Sequence, residues 1–310
     1  MALSRVVSSS SIGAGRRVGS LLLSRSSLRC ASSASAAEQY AAAPYRLLAN
    51  STESQRAAWA ERDVVLHAEM RKHVPAALKH NGEEAFDAHL VGVQSVLRSW
   101  GAPEYMTNAA LFHSIYGTEG FQGYKLPLSH RAEIAALIGP RAERLAWIFC
   151  MVDRATVDAT LVGPAARQPD SYVDMPPTFG ARPELGAFAI PLKSHDEWID
   201  FLTLSLADWL EQVEGAASKS VVLPVGEGNL WELGQAWGYR RHGYAKMAEV
   251  LAERGAPWVR EAAPRMYAEV FAREPHASRH FVQPLTPPMS KAAVDAHEAI
   301  ESAGLDFGEQ

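Results

Sequence analysis

From residue 53 onward, apolar positions recur with a helical period over most of the chain. The stretch "EEAFDAHLVGVQSVLRSWG" places Phe86, Leu90, Val93, Val96 and Leu97 on one helical face, with Gly101 set to end it. Before it, "STESQRAAWAERDVVLHAEMRKHVPAAL" opens with Ser51, Thr52 and Ser54, side chains suited to capping a long charged helix. "EYMTNAALFHSIYG" predicts a further helix, ended by Gly117. "SHRAEIAALIGPRAERLAWIFCMVDRATVDAT" predicts two more, broken at Gly139–Pro140. Residues 163–191 are rich in Pro, Gly and Asp without a period, and read as a long loop. "SHDEWIDFLTLSLADWLEQVEG" is a strongly apolar helix, followed by the connector "KSVVLPVGEG", a helical pair over 229–273 and a last helix over 290–303. No 20–50-residue repeat is evident. The expected fold is all-α, with a helical domain over 44–214 and a C-terminal helical extension over 215–310 packed on it. Within that extension, "GQAWGYRRHGY", with Arg240, Arg241 and His242, reads either as a packed helix interface or as a pocket lining.

Composition narrows the classes. Of 310 residues, 47% are hydrophobic, enough for a sizeable core. A net charge of −5 with 21% charged residues gives no general basic face, and so no footprint for nucleic acid. No apolar run approaches the roughly 20 residues needed to cross a bilayer. The two cysteines, Cys30 and Cys150, cannot make a disulfide framework, which points to a reducing compartment. Residues 1–43 differ in kind. Arg5, Arg16, Arg17, Arg25 and Arg29 stand among dense serines, and the first acid is Glu38. That pattern predicts an organelle transit segment, mitochondrial by its arginine content with the plastid as the alternative, or else a plain disordered tail. Its apolar run Leu21–Leu23 is too short for secretion, and cleavage near Cys30–Ser35 would leave Cys150 as the one cysteine.

Three polar residues lie in apolar helical surroundings: His89 in "FDAHLVGV", His113 in "AALFHS" and Asp208 in "LTLSLADWLEQV". Buried polar groups need partners. Two histidines and a carboxylate from separate helices can hold a divalent metal; each histidine alone is more often a hydrogen-bonded core residue, and Asp208 alone a cap or an arginine's partner. Asp153 in "FCMVDRATVD" is a candidate further carboxylate, with Arg154 as its alternative ion-pair partner. Tyr116, Lys125 and Arg131, just past the turn, are candidates to contact an anionic substrate, or else surface residues. His67, His73 and His80 are not three or four residues apart, share no helix face and read as surface.

The stretch "GEEAFDAHLVGVQSVLRSWGAPEYMTNAALFHSIYGTEGF" resembles the HD-domain superfamily, closest to the hydrolase domain of RelA/SpoT-type (p)ppGpp enzymes. Against that family's "G-E-x-Y-x-x-H-P" this chain offers Gly82, Glu83 and, one position later than that spacing, His89; against "A-L-L-H-D-x-x-E-D-T" it offers Ala110, Leu111 and His113, with Thr118 close to the terminal threonine; and against "K-L-A-D-R-L-H-N" it offers Leu206, Ala207, Asp208 and Leu210. "RAEIAALIGPRAERLAWI" is similar to the segment between them, so the resemblance covers about residues 80–214. The wider chain also resembles a plant and algal family carrying the "HSIYGT" signature. The departures are specific: Ser114 replaces the family's metal-binding aspartate, its acidic pair falls at Gly117–Thr118, and "R-L-H-N" becomes Trp209–Leu210–Glu211–Gln212. A neutral serine hydroxyl is a poor ligand.

What the resemblance implies is an HD-like bundle in which His89, His113 and Asp208 hold a divalent ion (Mn, Mg, Zn or Fe), with open positions and with Ser114 beside them. The implied activity is hydrolysis of a phosphoester in a nucleotide or small phosphorylated metabolite. Two other outcomes are an HD-type iron oxygenase, and a non-catalytic descendant that binds a ligand or partner.

Overall fold

The structure, a computed structural model, describes residues 51–73, 79–80, 84–119, 125–164, 166–220 and 240–272. The expected transit segment over 1–43, the helix expected over 290–303 and the first part of the expected 229–273 pair lie outside the described residues.

The described residues form an all-α fold with two short hairpins. Helix α1 (Glu53–His73) starts at a capping box. Thr52 Oγ1 accepts the Gln55 N–H at 3.2 Å, and Gln55 Oε1 accepts the Thr52 N–H at 2.8 Å. A two-residue hairpin, β1 (Lys79–His80) and β2 (Glu84–Ala85), precedes α2 (Phe86–Ser99). Leu90, Val93, Val96 and Leu97 of α2 are fully buried, as their spacing requires. After α2 the chain turns at Gly101, whose φ of +81° suits glycine.

Helix α3 (Glu104–Phe112) is shorter than the sequence suggests. It stops one turn before Gly117: the His113 N–H bonds back to the Ala110 carbonyl, and residues 113–116 form turns. Past a 3-10 turn (Leu128–His130) come α4 (Arg131–Ile138) and α5 (Pro140–Met151), divided at Gly139–Pro140 as expected, with Pro140 in the first turn of α5. The next helix is a correction to the two-helix reading. The chain breaks again at Val152–Asp153, because residues 151–153 pair with 180–182. The Asp153 N–H donates to the Gly180 carbonyl and the Arg182 N–H to the Met151 carbonyl. Asp153 then caps a separate helix, α6 (Arg154–Leu161).

Residues 163–191 are likewise more ordered than a loop. They carry the short helix α7 (Ser171–Asp174), a 3-10 turn (Pro183–Leu185) and the antiparallel pair β3 (Thr178–Gly180) and β4 (Ala189–Pro191), with Phe179 opposite Ile190. Three-residue strands are too short to show a period in sequence.

Helix α8 (His195–Ser220) is the axis of the core. It packs against α2, α3 and α5, while α9 (Arg241–Arg254) and α10 (Ala262–Ala272) pack on it and on each other. Trp209 stacks on Tyr244 at 4.3 Å between ring centres, which seats α9 against α8. Arg240 ion-pairs with Asp158 of α6, so this basic residue serves a packed interface. Among the described residues, no helix is long and apolar enough to cross a membrane.

Helix α1 is held to α2 by a buried ion pair. Both Arg98 Nη atoms donate to Asp63, at 2.5 and 2.8 Å, and His67 bonds Gln94 at 2.9 Å. His67 is therefore not a surface residue: its register partner is Asp63, four residues earlier on the same face. Removing Arg98 leaves the Asp63 carboxylate buried without its main partner, so Arg98→Met is expected to cost about 3–5 kcal/mol. Urea unfolding would measure this; a loss below about 1 kcal/mol would contradict it.

Candidate metal centre

Three helices deliver one polar side chain each to the same point in the core. His89 sits one turn into α2, His113 caps the C-terminus of α3, and Asp208 lies midway along α8. One ligand atom from each lies within 4.8 Å of the others. His89 Nε2 stands 3.0 Å and His113 Nε2 3.3 Å from the same oxygen, Asp208 Oδ1. The two rings meet edge to face at 5.2 Å. All three residues are buried, and the Asp208 side chain alone keeps about a tenth of its surface open.

The orientation of His113 is fixed from three sides. Its Nδ1–H donates to the Ala110 carbonyl at 2.6 Å, so that in the neutral ring Nε2 is the lone-pair nitrogen. The Cys150 thiol donates to the His113 carbonyl at 3.0 Å, and burial pushes that thiol's pKa up to about 12, so it stays a donor. Phe149 packs against the imidazole at 4.8 Å. His113 Nε2 is nevertheless buried with no hydrogen-bond partner, its approach to Asp208 being too bent for a hydrogen bond.

His89 is oriented by a residue whose role the sequence reading missed. Glu211 lies one turn beyond Asp208 on the same face of α8, and its Oε2 accepts from His89 Nδ1 at 2.6 Å. A carboxylate behind a histidine in this way sets the tautomer that presents Nε2. Room for it comes from Gly92: a Cβ there would overlap Glu211 Oε1 and stand 2.7 Å from its Cδ. The Asp-x-x-Glu spacing was available in sequence, but one more acid in an acidic segment carries little signal.

The charge balance follows. Burial opposes protonation of His89, but the Glu211 and Asp208 carboxylates outweigh it and raise its pKa to about 10. Burial pushes Asp208 up as well, yet His113 and His89 beside it, acting as proton carriers in the metal-free site, hold it well below the usual carboxylate range. Gln212 adds a hydrogen bond to Asp208 Oδ1 at 2.9 Å.

Other sequence candidates go elsewhere. Asp153 does not join the centre: its carboxylate caps α6, accepting from the Ala155 N–H at 2.8 Å, and burial raises its pKa. Tyr116 donates to Glu143 Oε1 at 3.0 Å, and Arg131 makes a paired contact to both Glu143 oxygens while stacking on Trp147. Both are engaged with Glu143, so neither is an open anion contact. Lys125 is exposed. Ser114 is buried directly after His113, and its hydroxyl makes no hydrogen bond among the described residues.

A family model, "Domain of unknown function (DUF6817)", matches residues 69–154, which takes in His89 and His113 but not Asp208. No curated protein and no solved structure matches the chain.

Because the folded-state pKa of His89 lies above the ordinary 6.5, its contribution to stability is full below pH 6.5 and lost as pH rises toward about 10. The metal-free protein is thus expected to lose on the order of a few kcal/mol across that window. His89→Gln should abolish the slope, and Gly92→Ala should reduce it by displacing Glu211. Urea melts across pH would show this; equal slopes in all three proteins would contradict it.

Proposed function

We propose that this chain is a metal-dependent phosphohydrolase built on an HD-like bundle, with His89, His113 and Asp208 holding one divalent ion. The observation that carries the reading is the buried Nε2 of His113, aimed at Asp208 with its Nδ1 already committed to the Ala110 carbonyl. A nitrogen lone pair so placed beside an ionised carboxylate and a second imidazole fits a borderline cation such as Zn²⁺, Mn²⁺ or Fe²⁺. When bound, such an ion would supply Lewis acidity, activating water and stabilising charge on phosphoryl oxygens.

The chain's own residues set the terms. Ala110 and Glu211 fix the two imidazoles, Asp208 brings the negative charge, and three protein donors leave positions for water and substrate. Ser114 stands where the HD family carries a second acidic ligand, so less negative charge surrounds the ion. The order of His89, His113 and Asp208 along the chain also supports the HD-like reading, as does their delivery from three packed helices. The substrate proposed is a nucleotide or other small phosphorylated metabolite.

The same donor set favours a second reading. Two histidines and one carboxylate with open positions form the facial triad of non-haem iron oxygenases. Metal content separates the two: Mn, Zn or Mg with phosphoesterase activity supports hydrolysis, whereas iron with oxygen-dependent turnover supports oxygenation.

Titrating Mn²⁺ into the purified protein tests the centre. His113→Ala and Asp208→Ala are expected to weaken binding at least ~100-fold with helical content retained, and Ser114→Asp to tighten it by adding an anionic ligand. If wild type binds no metal and Ser114→Asp merely lowers the melting temperature, these residues are only core hydrogen-bonding groups and the reading fails.

A further inference from the structure

Among the described residues, three arginines are buried: Arg98, Arg154 and Arg182. Arg98 is paired with Asp63, and Arg182 with Glu184. Arg154 has no carboxylate within ion-pair distance among the described residues, although only 8% of it is exposed. Its guanidinium lies over Phe149 at 3.9 Å, and Nη1 makes one long contact, 3.4 Å, to the Ser205 hydroxyl. Nε and Nη2 make no hydrogen bond, yet they are not among the enclosed polar atoms, so they face accessible space. A guanidinium this deep is normally neutralised by a carboxylate or by a bound anion.

Its neighbours locate that space. Ser205 precedes Asp208 by three residues on α8, and so shares its face. Phe149, on which Arg154 stacks, is also the ring that packs against His113. Arg154 is therefore linked to the candidate centre through Phe149, which it shares with His113, and through Ser205 on the Asp208 face of α8, and it makes no ion pair with Asp208. Its position is set by the helix break: Asp153 caps α6, Glu119 accepts the Arg154 backbone N–H at 3.0 Å, and the side chain enters the core from the first residue of the helix.

We propose that Arg154 is the anion-binding residue of this site, receiving the oxygens of a substrate phosphoryl group held next to His89, His113 and Asp208. This deepens the phosphohydrolase reading and rests on it for the placement of the reacting group. The guanidinium fork matches two phosphoryl oxygens, a geometry no ammonium offers. Arg154 thus takes the role for which the sequence offered Tyr116, Lys125 and Arg131.

Calorimetric titration of the full chain with inorganic phosphate, with and without Mn²⁺, tests it. Wild type should bind phosphate, Arg154→Gln should weaken that binding by about tenfold or more while Mn²⁺ affinity stays within about twofold, and Lys125→Gln should change neither. Arg154→Met, which keeps apolar packing on Phe149 and Phe201, makes the same comparison if the glutamine variant is poorly folded. No phosphate binding by wild type, or equal affinity in a folded Arg154 variant, would overturn the proposal. Arg154-dependent phosphate binding without Mn²⁺ binding would sustain it and remove the metal reading. Mn²⁺ binding with phosphate affinity independent of Arg154 would do the reverse.

Discussion

The Nε2 of His113 and a carboxylate oxygen of Asp208 meet 3.3 Å apart inside an apolar core, in a geometry that is not a hydrogen bond. Burying an ionised carboxylate and an imidazole nitrogen this way is costly unless something compensates both. His89, at 3.0 Å from the same oxygen, compensates in part when protonated. The end of α3 and the course of α8 both serve this encounter. The α-helix over Glu104–Phe112 stops just before His113, and α8 stays continuous through Asp208 and Glu211.

The supporting contacts are each small and specific. Ala110 and Cys150 hold His113, Glu211 holds His89, and the missing side chain at Gly92 lets the Glu211 carboxylate lie against α2. Alanine would favour the helix at Gly92 by about 0.5–1 kcal/mol, yet it would push aside the group that orients His89. Local helix stability and site geometry therefore oppose each other at this position. Other charges are partitioned: Glu143 neutralises Arg131, Asp200 neutralises Arg141, and Arg154 is left stacked on Phe149 without a carboxylate among the described residues.

The helices were legible in sequence because their apolar faces repeat over three or more turns, as at Leu90, Val93 and Leu97. The convergence of His89, His113 and Asp208 was legible for a related reason: a polar residue on such a face has few places to go. What was not legible depended on pairing between distant segments. The break at Val152–Asp153 is imposed by residues 180–182, and the ordering of the supposed loop by contacts between Phe179 and Ile190 strands. The pairing of Tyr116 and Arg131 with Glu143 was not legible because Glu143 lies in a separate helix. Comparing histidines only with one another likewise hid the Asp63–His67 register.

X-ray absorption spectroscopy of the metal-loaded protein addresses the central claim most directly, since imidazole gives a distinctive multiple-scattering signature. The account predicts one metal per chain with a nitrogen–oxygen first shell, two imidazoles from His89 and His113, and loss of both in His89→Gln/His113→Ala. A first shell containing sulfur, one with no imidazole scattering, or a protein that takes up no metal at all would contradict it.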